Sequence, residues 1–565
     1  MLKKKWQQKI HKQDLFTTLK SNHNNLCDIS LNLMANRNIG IETDSVNFLT
    51  SKLNNLRNPL LFADMSKACK RIIQAIKNNE VIGIFGDYDV DGVASVALLL
   101  DFFKLVNASA VATLPNRLNE GYGLSKVGIE RLVSMKASLI ITTDCGTQSF
   151  DEIAYANSLG LDVIVIDHHN VGDKLPDALA LINPKRKDCE SKASILCATG
   201  VAFYVCLALR KMLFEENYLA SKPELIHLLD LVALATVCDV VPLIDDNRIF
   251  VNFGLKIIKQ GLRPGLKALL EVSKVEQKKI SSTNLGFHLG PRINAAGRLD
   301  DATLALQLMN DSYEQALEKA QILQAHNLER QALEEEIVKQ ACAQIESDKE
   351  LSSAKALVLH NESWHIGVVG IVASRISERY HRPSIIIGEH GKGSGRSIKG
   401  IDLHAMVEQV KEHLLGFGGH FHAIGLSLKS PVKDFREALN NVIASQIDEK
   451  VFEQVLFYDQ ELGLNETNLD LIRRIKIFEP FGAHNPYPVF RINNCFIRNL
   501  RELNGGHIKG ELENNLGFIS FIGFRMSIDK DLANQAIDVL GVIEENQWQQ
   551  NITAQLRIID YKIRC

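Results

Sequence analysis

Ten cysteines are scattered from Cys27 to Cys565 without a single CxxC pair, so neither a disulfide framework nor a cysteine-ligated zinc site is suggested. Long uncharged apolar runs are missing as well. Even VASVALLLDFF is interrupted by Asp101, far short of the roughly 18 apolar residues of a membrane span. The basic opening, Met1 to Lys12, leads into no apolar stretch of about seven residues such as a secretory signal requires. Neither sign of charge dominates, with 64 Lys and Arg against 67 Asp and Glu. A net charge of −3 supplies no global field for a polyanion, which local basic patches and metal ions would have to hold instead. These absences predict a soluble, cytoplasmic protein with reduced cysteines and no membrane contact.

What is present is length and pattern. A chain of 565 residues that is 46% hydrophobic has material for three or four domains. From Val81 to Asp239, short apolar runs (VIGIFG, SAVATLP, SLIITT, DVIVI) alternate with helical patterns, the βαβ rhythm of a parallel sheet. From Asp311 to Lys349 a highly charged stretch without Gly or Pro reads as one long helix, polar enough to bridge two domains. KALVLH, SIIIGE and the glycine-rich run Gly391 to Gly400 predict a smaller α/β domain ending near Ser445. After Val451, short strand-like pieces such as FRINNCFIRNL and LGFISFIGF suit a small barrel of the OB type. The expected divisions are therefore 1–50 without an assigned role, 51–310, a helix over 311–350, then 351–450 and 451–565.

Ligands of parallel sheets sit beyond the carboxyl ends of the strands. Asp87-Tyr88-Asp89-Val90-Asp91, Asp144 and Asp167-His168-His169 all fall there. Three alternate aspartates after a buried strand cannot all be core residues, because each ionised carboxylate needs compensation. Divalent ions provide it, and carboxylates with imidazole suit manganese or magnesium. Each piece also has a plainer reading. A calcium loop counted from Asp87 would need Glu at its twelfth position, which is Leu98. Asp144 could cap a following helix, and His168-His169 could be a satisfied loop pair. Asp239, beside Val240 and Val241 after an apolar helix, is harder to dismiss.

Arg117, Arg292, Arg298 and Arg396 stand in stretches bounded by glycine or proline, read here as loops whose guanidinium forks suit phosphate. A surface salt bridge is the alternative for each. Ser394-Gly395-Arg396 lies within the glycine-rich run, which could cradle an anion with backbone N–H groups. His420 after two glycines offers a hydrogen bond or a stacking face, or is a core histidine in a plain turn. Arg498, Arg501, Lys509, Phe496 and Phe518 have the cation and aromatic mix of a strand-binding barrel.

GDYDVDG (86–92), TTDCGT (142–147), IDHH (166–169) and TVCDVVPL (236–243) resemble the four ordered motifs of the DHH phosphoesterases. LPNRLNEGYGL, GFHLGPRINAAGRLDDA, ESWHIGVVGIVASR, SGRSIKGIDL, GGHFHAIGLSL and EPFGAHNPYPVF narrow the resemblance to the RecJ family. Val90 and Cys238 stand where alanine is usual, and neither change removes a ligand.

The resemblance implies a DHH domain, a DHHA1 domain and an OB domain, and an exonuclease that degrades single-stranded DNA from its 5′ end in DNA repair and recombination. It implies two Mn2+ or Mg2+ ions held among Asp87, Asp89, Asp91, Asp144, His168 and Asp239, with His169 near the phosphate or the leaving group. Arg117, Arg292, Asn294, Arg298, Ser394, Arg396 and His420 become strand-binding candidates, the pair Ser394 and Arg396 for the 5′ phosphate. A single-strand binding protein and a helicase are the expected protein partners. A DHH phosphodiesterase acting on short oligonucleotides or cyclic dinucleotides would usually be shorter and need no OB module. A silent replication scaffold would not keep the aspartates and histidines intact.

Overall fold

The computed structural model describes the chain except residues 1–3, 11–12, 42, 118–119, 300, 527, 529–534, 550 and 565. The chain divides into two compact units. One holds residues 7–294, 302–320 and 457–565, and the other holds 295–301, 321–456 and the first few residues. The fold class is mixed α/β, as the alternating pattern predicts.

In the first unit, five parallel strands form one sheet: β1 (Val81–Gly86), β2 (Ala110–Thr113), β3 (Ala137–Thr143), β4 (Asp162–Ile166) and β5 (Ala180–Ile182). Their order is β2-β1-β3-β4-β5. Ile82, Ile84, Phe85, Leu139, Ile140, Ile141 and the run Val163–Ile166 are fully buried, which is why these strands read as continuous apolar runs rather than alternating ones. The helix Val90–Leu105 follows β1 and is itself buried around most of its surface.

The same unit contains a closed barrel. Its strands are β12 (Phe490–Leu503), β13 (His507–Asn514), β14 (Gly517–Gly523), β15 (Ile537–Trp548) and β16 (Asn551–Ile563); β11 (Gln460–Leu462) pairs alongside β12 in parallel, and β6 to β10 lie in the second unit. The order β12-β13-β14-β16-β15 closes through a β12–β15 pairing, and β14 and β16 run parallel. That is a five-stranded barrel of the kind the last 110 residues suggested.

Apolar residues between Leu15 and Phe48, silent in the sequence, pack on this barrel. Leu15, Leu19, Leu31, Leu33, Met34 and Phe48 share one hydrophobic core with Phe478, Phe490, Phe521, Val539 and Leu556. Arg248, on the helix Asp245–Gln260, is buried in the same region and donates to the carbonyls of Phe48, Phe478 and Glu479 at 2.7, 2.9 and 2.7 Å.

In the second unit the sheet is β6 (Leu357–His360), β7 (Ser384–Ile387), β8 (Lys392–Arg396), β9 (Leu414–His420) and β10 (Ala423–Leu428), in the order β9-β10-β8-β7-β6. One face packs on the helix Val432–Gln446 through Phe435, Leu439 and Ile443. The other packs on Val369–Tyr380 and on Ile337, Ala341 and Ile345 of the long helix. That helix runs Tyr313–Ser347, 35 residues, or about 50 Å at 1.5 Å per residue.

Two local expectations fail. The stretch holding Ser394 and Arg396 is not a loop but the strand β8, paired on one side with β7 and on the other with β10. Its backbone N–H groups are taken up in a sheet interior, so they form no anion nest. The glycines serve packing instead: a Cβ on Gly395 would come within 2.7 Å of Ile424 and 2.9 Å of Leu403. Likewise Arg292 and Arg298 stand on the helix Gly290–Leu299. Glycine and proline misled there because both are tolerated in a helix's first turn.

Candidate metal centre

The loops after β1, β3 and β4 and the end of the helix Leu229–Cys238 converge at the carboxyl edge of the five-stranded parallel sheet. Asp89 caps the helix Val90–Leu105, its carboxylate accepting from Asp91 N at 2.9 Å and Gly92 N at 3.1 Å. Gly92 has no room for a side chain, since a Cβ would lie 2.3 Å from the Asp87 carbonyl. This close approach turns Asp87 and Asp91 inward, and both are buried. Asp144 does not cap a helix: the next one begins at Phe150 with Ser149 as its cap. Its backbone is left-handed at φ 62°, uncommon for a non-glycine residue and a form of strain often kept at functional sites. Asp239 ends its helix, and the exposed Val240 beside it is also left-handed at φ 57°.

His168 Nε2 lies 3.3 Å from Asp144 Oδ1, 3.6 Å from Asp239 Oδ2 and 3.7 Å from Asp91 Oδ2. Three sets of potential ligand atoms, Asp87/Asp89/Asp144, Asp91/His168/Asp239 and Asp144/His168/His169, each fall within 4.8 Å of one another. Asp87 Oδ1 and Asp239 Oδ2 are buried without a hydrogen-bond partner. Burial and the surrounding aspartates push the Asp144 carboxyl well above the carboxylate range, and Asp87 likewise through burial and Asp89. Asp239 is pushed up to about 8 by burial, then by Asp91 and Asp89. Burial lowers His168, leaving a neutral imidazole. Crowded carboxylates, two orphaned buried oxygens and a neutral imidazole are a donor set short of positive charge. Hard divalent cations such as manganese or magnesium supply it.

Several residues of this region were given no role by the sequence. Asp167 accepts from the backbone N of Thr147, His168 and His169 and lies 2.8 Å from His169 Nδ1. Burial alone would raise its carboxyl, yet the hydrogen bond and charge of His169 hold it well below the usual range. Burial alone would lower His169, yet Asp167 raises it. Thr199, at the start of the helix Ala198–Glu215, donates its backbone N at 2.8 Å and its hydroxyl at 2.6 Å to Asp91 Oδ1, while Ala198 N donates to Oδ2 at 2.7 Å. Nothing in the spacing of CATG pointed to that contact. Tyr122 OH lies 3.0 Å from His169 Nε2, and only its place in GYG set it apart.

The remaining candidates scatter. Arg117 stacks 5.1 Å from the Tyr88 ring. Asn294 Oδ1 accepts from Val90 N at 3.1 Å, bracing the first motif. Arg292 donates to the His288 carbonyl at 2.5 Å, and Arg298 to the Gly367 carbonyl at 3.2 Å.

In the second unit, Arg396 pairs across β10 with Ala423, which pairs with His420. Arg396 and His420 therefore share one face, two strands apart or about 10 Å. Ser394 is opposite Gly425, itself opposite Gly418, and a Cβ at either glycine would meet open space. Gly370, at the start of the helix Val369–Tyr380, faces Ser394 Oγ and Arg396. A cation, a hydroxyl, a helix start and a bare glycine floor make a patch open to an anion.

The DHH family N-terminal domain matches residues 81–236, the DHHA1 domain 353–447 and the RecJ OB domain 458–560. The class is thus a DHH phosphoesterase. A curated relative from Salmonella typhimurium, "Single-stranded-DNA-specific exonuclease RecJ", is 36% identical over 520 residues, 88% of this chain and 90% of that one. Its counterpart from Bacillus subtilis is 34% identical over 91% of this chain, which spans 65% of that longer protein. The chain belongs to the RecJ family. Among solved structures, RecJ of Thermus thermophilus in complex with Mn2+ superposes with a TM-score of 0.83 at 25% identity, over 99% of this chain and 79% of that one. A second exonuclease RecJ bound to manganese gives 0.60 at 31% identity, over 69% and 97%.

Proposed function

We propose that the chain is a metal-dependent exonuclease that hydrolyses single-stranded DNA, removing nucleotides from the 5′ end. The two orphaned oxygens of Asp87 and Asp239 inside a cluster of aspartates and histidines carry this reading. Asp87, Asp89 and Asp144 would hold one divalent cation, and Asp91, His168 and Asp239 a second. Two bound Mn2+ or Mg2+ ions there supply water activation and charge neutralisation for in-line displacement at phosphorus. His169, held by Asp167, stands near the phosphate or the leaving group. Single-stranded DNA as polymer is supported by the names of relatives aligned over most of the chain.

Ser394 and Arg396 are assigned the terminal 5′ phosphate, and Arg117, Arg292, Asn294, Arg298 and His420 the rest of the strand. The division follows the expected boundaries: a DHH domain over 51–310, a long connecting helix over 311–350, a DHHA1 domain over 351–450 and an OB domain over 451–565. Phe518 is 73% exposed on β14 and is the better stacking platform, since Phe496 is partly buried. A cytoplasmic place in DNA repair and recombination, beside a single-strand binding protein and a helicase, completes the reading. No helix among the described residues is long and apolar enough to cross a membrane. The test is incubation of 5′- and 3′-labelled single-stranded and duplex DNA with purified protein and manganese. Loss of label from the 5′ end of single strands alone is expected, and attack from the 3′ end would overturn the polarity.

A further inference from the structure

We infer that Tyr122 is a positioning residue: its hydroxyl gives the imidazole of His169 a second anchor besides the Asp167 contact. The inference rests on the role given to His169 above.

One hydrogen bond at Nδ1 restrains a histidine ring about χ2 but still lets it tilt within the width of that bond. The Asp167 carboxylate lies 2.8 Å from Nδ1 and, accepting only, keeps the hydrogen there. Nε2 is then the acceptor end, and Tyr122 OH lies 3.0 Å from it. The oxygen is also 3.3 Å from Nδ1, which puts it beside the Cε1 edge, but Nδ1 is already engaged by Asp167. Contacts at Nδ1 and at the Cε1–Nε2 edge restrain the ring more than either does alone.

The tyrosine is itself held by the site. The single hydroxyl hydrogen has one competing acceptor, the Asp144 carbonyl oxygen at 3.3 Å, farther than Nε2 at 3.0 Å. The tyrosine's own ring meets Tyr88 edge to face at 6.5 Å and 82°, and His169 at 5.7 Å and 70°. Tyr88 stands between Asp87 and Asp89 in the first motif. Gly121 and Gly123 flank Tyr122 at φ 84° and 83°, values that ordinary side chains rarely adopt. The Gly-Tyr-Gly turn is thus shaped to bring this side chain back to the sheet edge. LNEGYGL carries no ligand, and this contact gives it a task.

Tyr122→Phe keeps the ring stacked on Tyr88 and removes only the hydroxyl, while Tyr122→Leu removes both. A 1 Å misplacement of a reacting group costs up to about a hundredfold. Tyr122→Phe is therefore expected to lower kcat about tenfold to a hundredfold, with KM for single-stranded DNA and the thermal midpoint nearly unchanged. In metal-free, 15N-histidine-labelled protein the same change should move the His169 Nε2 resonance, a readout independent of turnover. Wild-type kcat in Tyr122→Phe with loss only in Tyr122→Leu would overturn the proposal in favour of a stacking ring. So would a rise in KM at constant kcat, which marks a substrate contact, or an unmoved Nε2 resonance. Were wild-type protein inactive on single strands, the function assigned to the site would fall, and the resonance would still decide the Tyr122 contact.

Discussion

Arg248 sets its guanidinium 3.8 Å above the ring of Phe48 and donates Nε to that residue's own carbonyl. Its other nitrogens reach the carbonyls of Phe478, Ile477 and Glu479. Burial pushes this guanidinium down to about 9, and four carbonyls together with the charge of Glu479 compensate it. One side chain thus ties the helix Asp245–Gln260 to the N-terminal segment and to the approach to the barrel.

Arg248→Met should therefore leave those carbonyls without their donor and loosen the N-terminal segment, at a cost of about 2–4 kcal/mol. Arg248→Lys should rescue little, because a compact ammonium cannot span the same acceptors. Limited proteolysis, with cleavage mapped to residues 13–60, checks both.

Deleting the barrel by cutting near Val451 should not leave a well-behaved core. The cut strips the partners of Leu15, Leu31, Met34 and Phe48, each worth about 1.5–3 kcal/mol when buried. A chain of residues 50–450 should be more soluble than one of 1–450, as sedimentation of the two would show, while retaining cleavage of short strands and binding long ones weakly. Equal solubility of both would contradict the shared core.

Asp144→Asn should abolish hydrolysis, to below about one per cent of wild type, while much DNA binding persists. In the metal-free protein it should also raise the thermal midpoint by about 2–4 °C. Its carboxyl is raised by burial and by Asp91, Asp89, Asp87 and Asp239, so a neutral isostere relieves repulsion. Differential scanning fluorimetry in EDTA measures the shift, and a drop would count against the repulsion.

Manganese should likewise stabilise the wild type, by offsetting the same crowded carboxylates. At a hundredfold excess over its Kd a bound ion stabilises by about 2.7 kcal/mol, and Asp144→Asn should lose most of that gain. Calorimetric titration of both proteins with MnCl2 would show it.

Arg396→Ala should lower the preference for 5′-phosphorylated over 5′-hydroxyl ends about tenfold to a hundredfold, the worth of one charge-assisted hydrogen bond. Cleavage of both ends at fixed salt distinguishes this from a bracing role for Arg396, which donates to the Gly395 carbonyl at 2.9 Å. In the bracing case both substrates slow together and their ratio persists.

The cluster of carboxylates was legible because hard-ligand chemistry concentrates aspartates where a buried strand ends. Strand β8 was illegible for the converse reason. KGSGR has no apolar alternation, and its glycines are chosen for side chains that arrive from Ile424 and Leu403, distant in sequence. Asp167 stood in plain view beside the histidines, but its task lies in contacts to Thr147 and His169 that only the sheet edge brings together. The N-terminal helices offered no signal because their apolar faces are complementary to a barrel more than 400 residues away, a relation that local periodicity does not record.

That same separation imposes an order on synthesis. Residues 15–48 leave the ribosome well before the surface that buries them, from Leu462 to Ile558, is made. At about 5–20 residues per second the wait is roughly 20–80 s. Through that interval the apolar faces of the nascent N-terminus are exposed in the cell, and the chain depends on helper proteins or on a weak, provisional collapse until its last strands emerge to close over them.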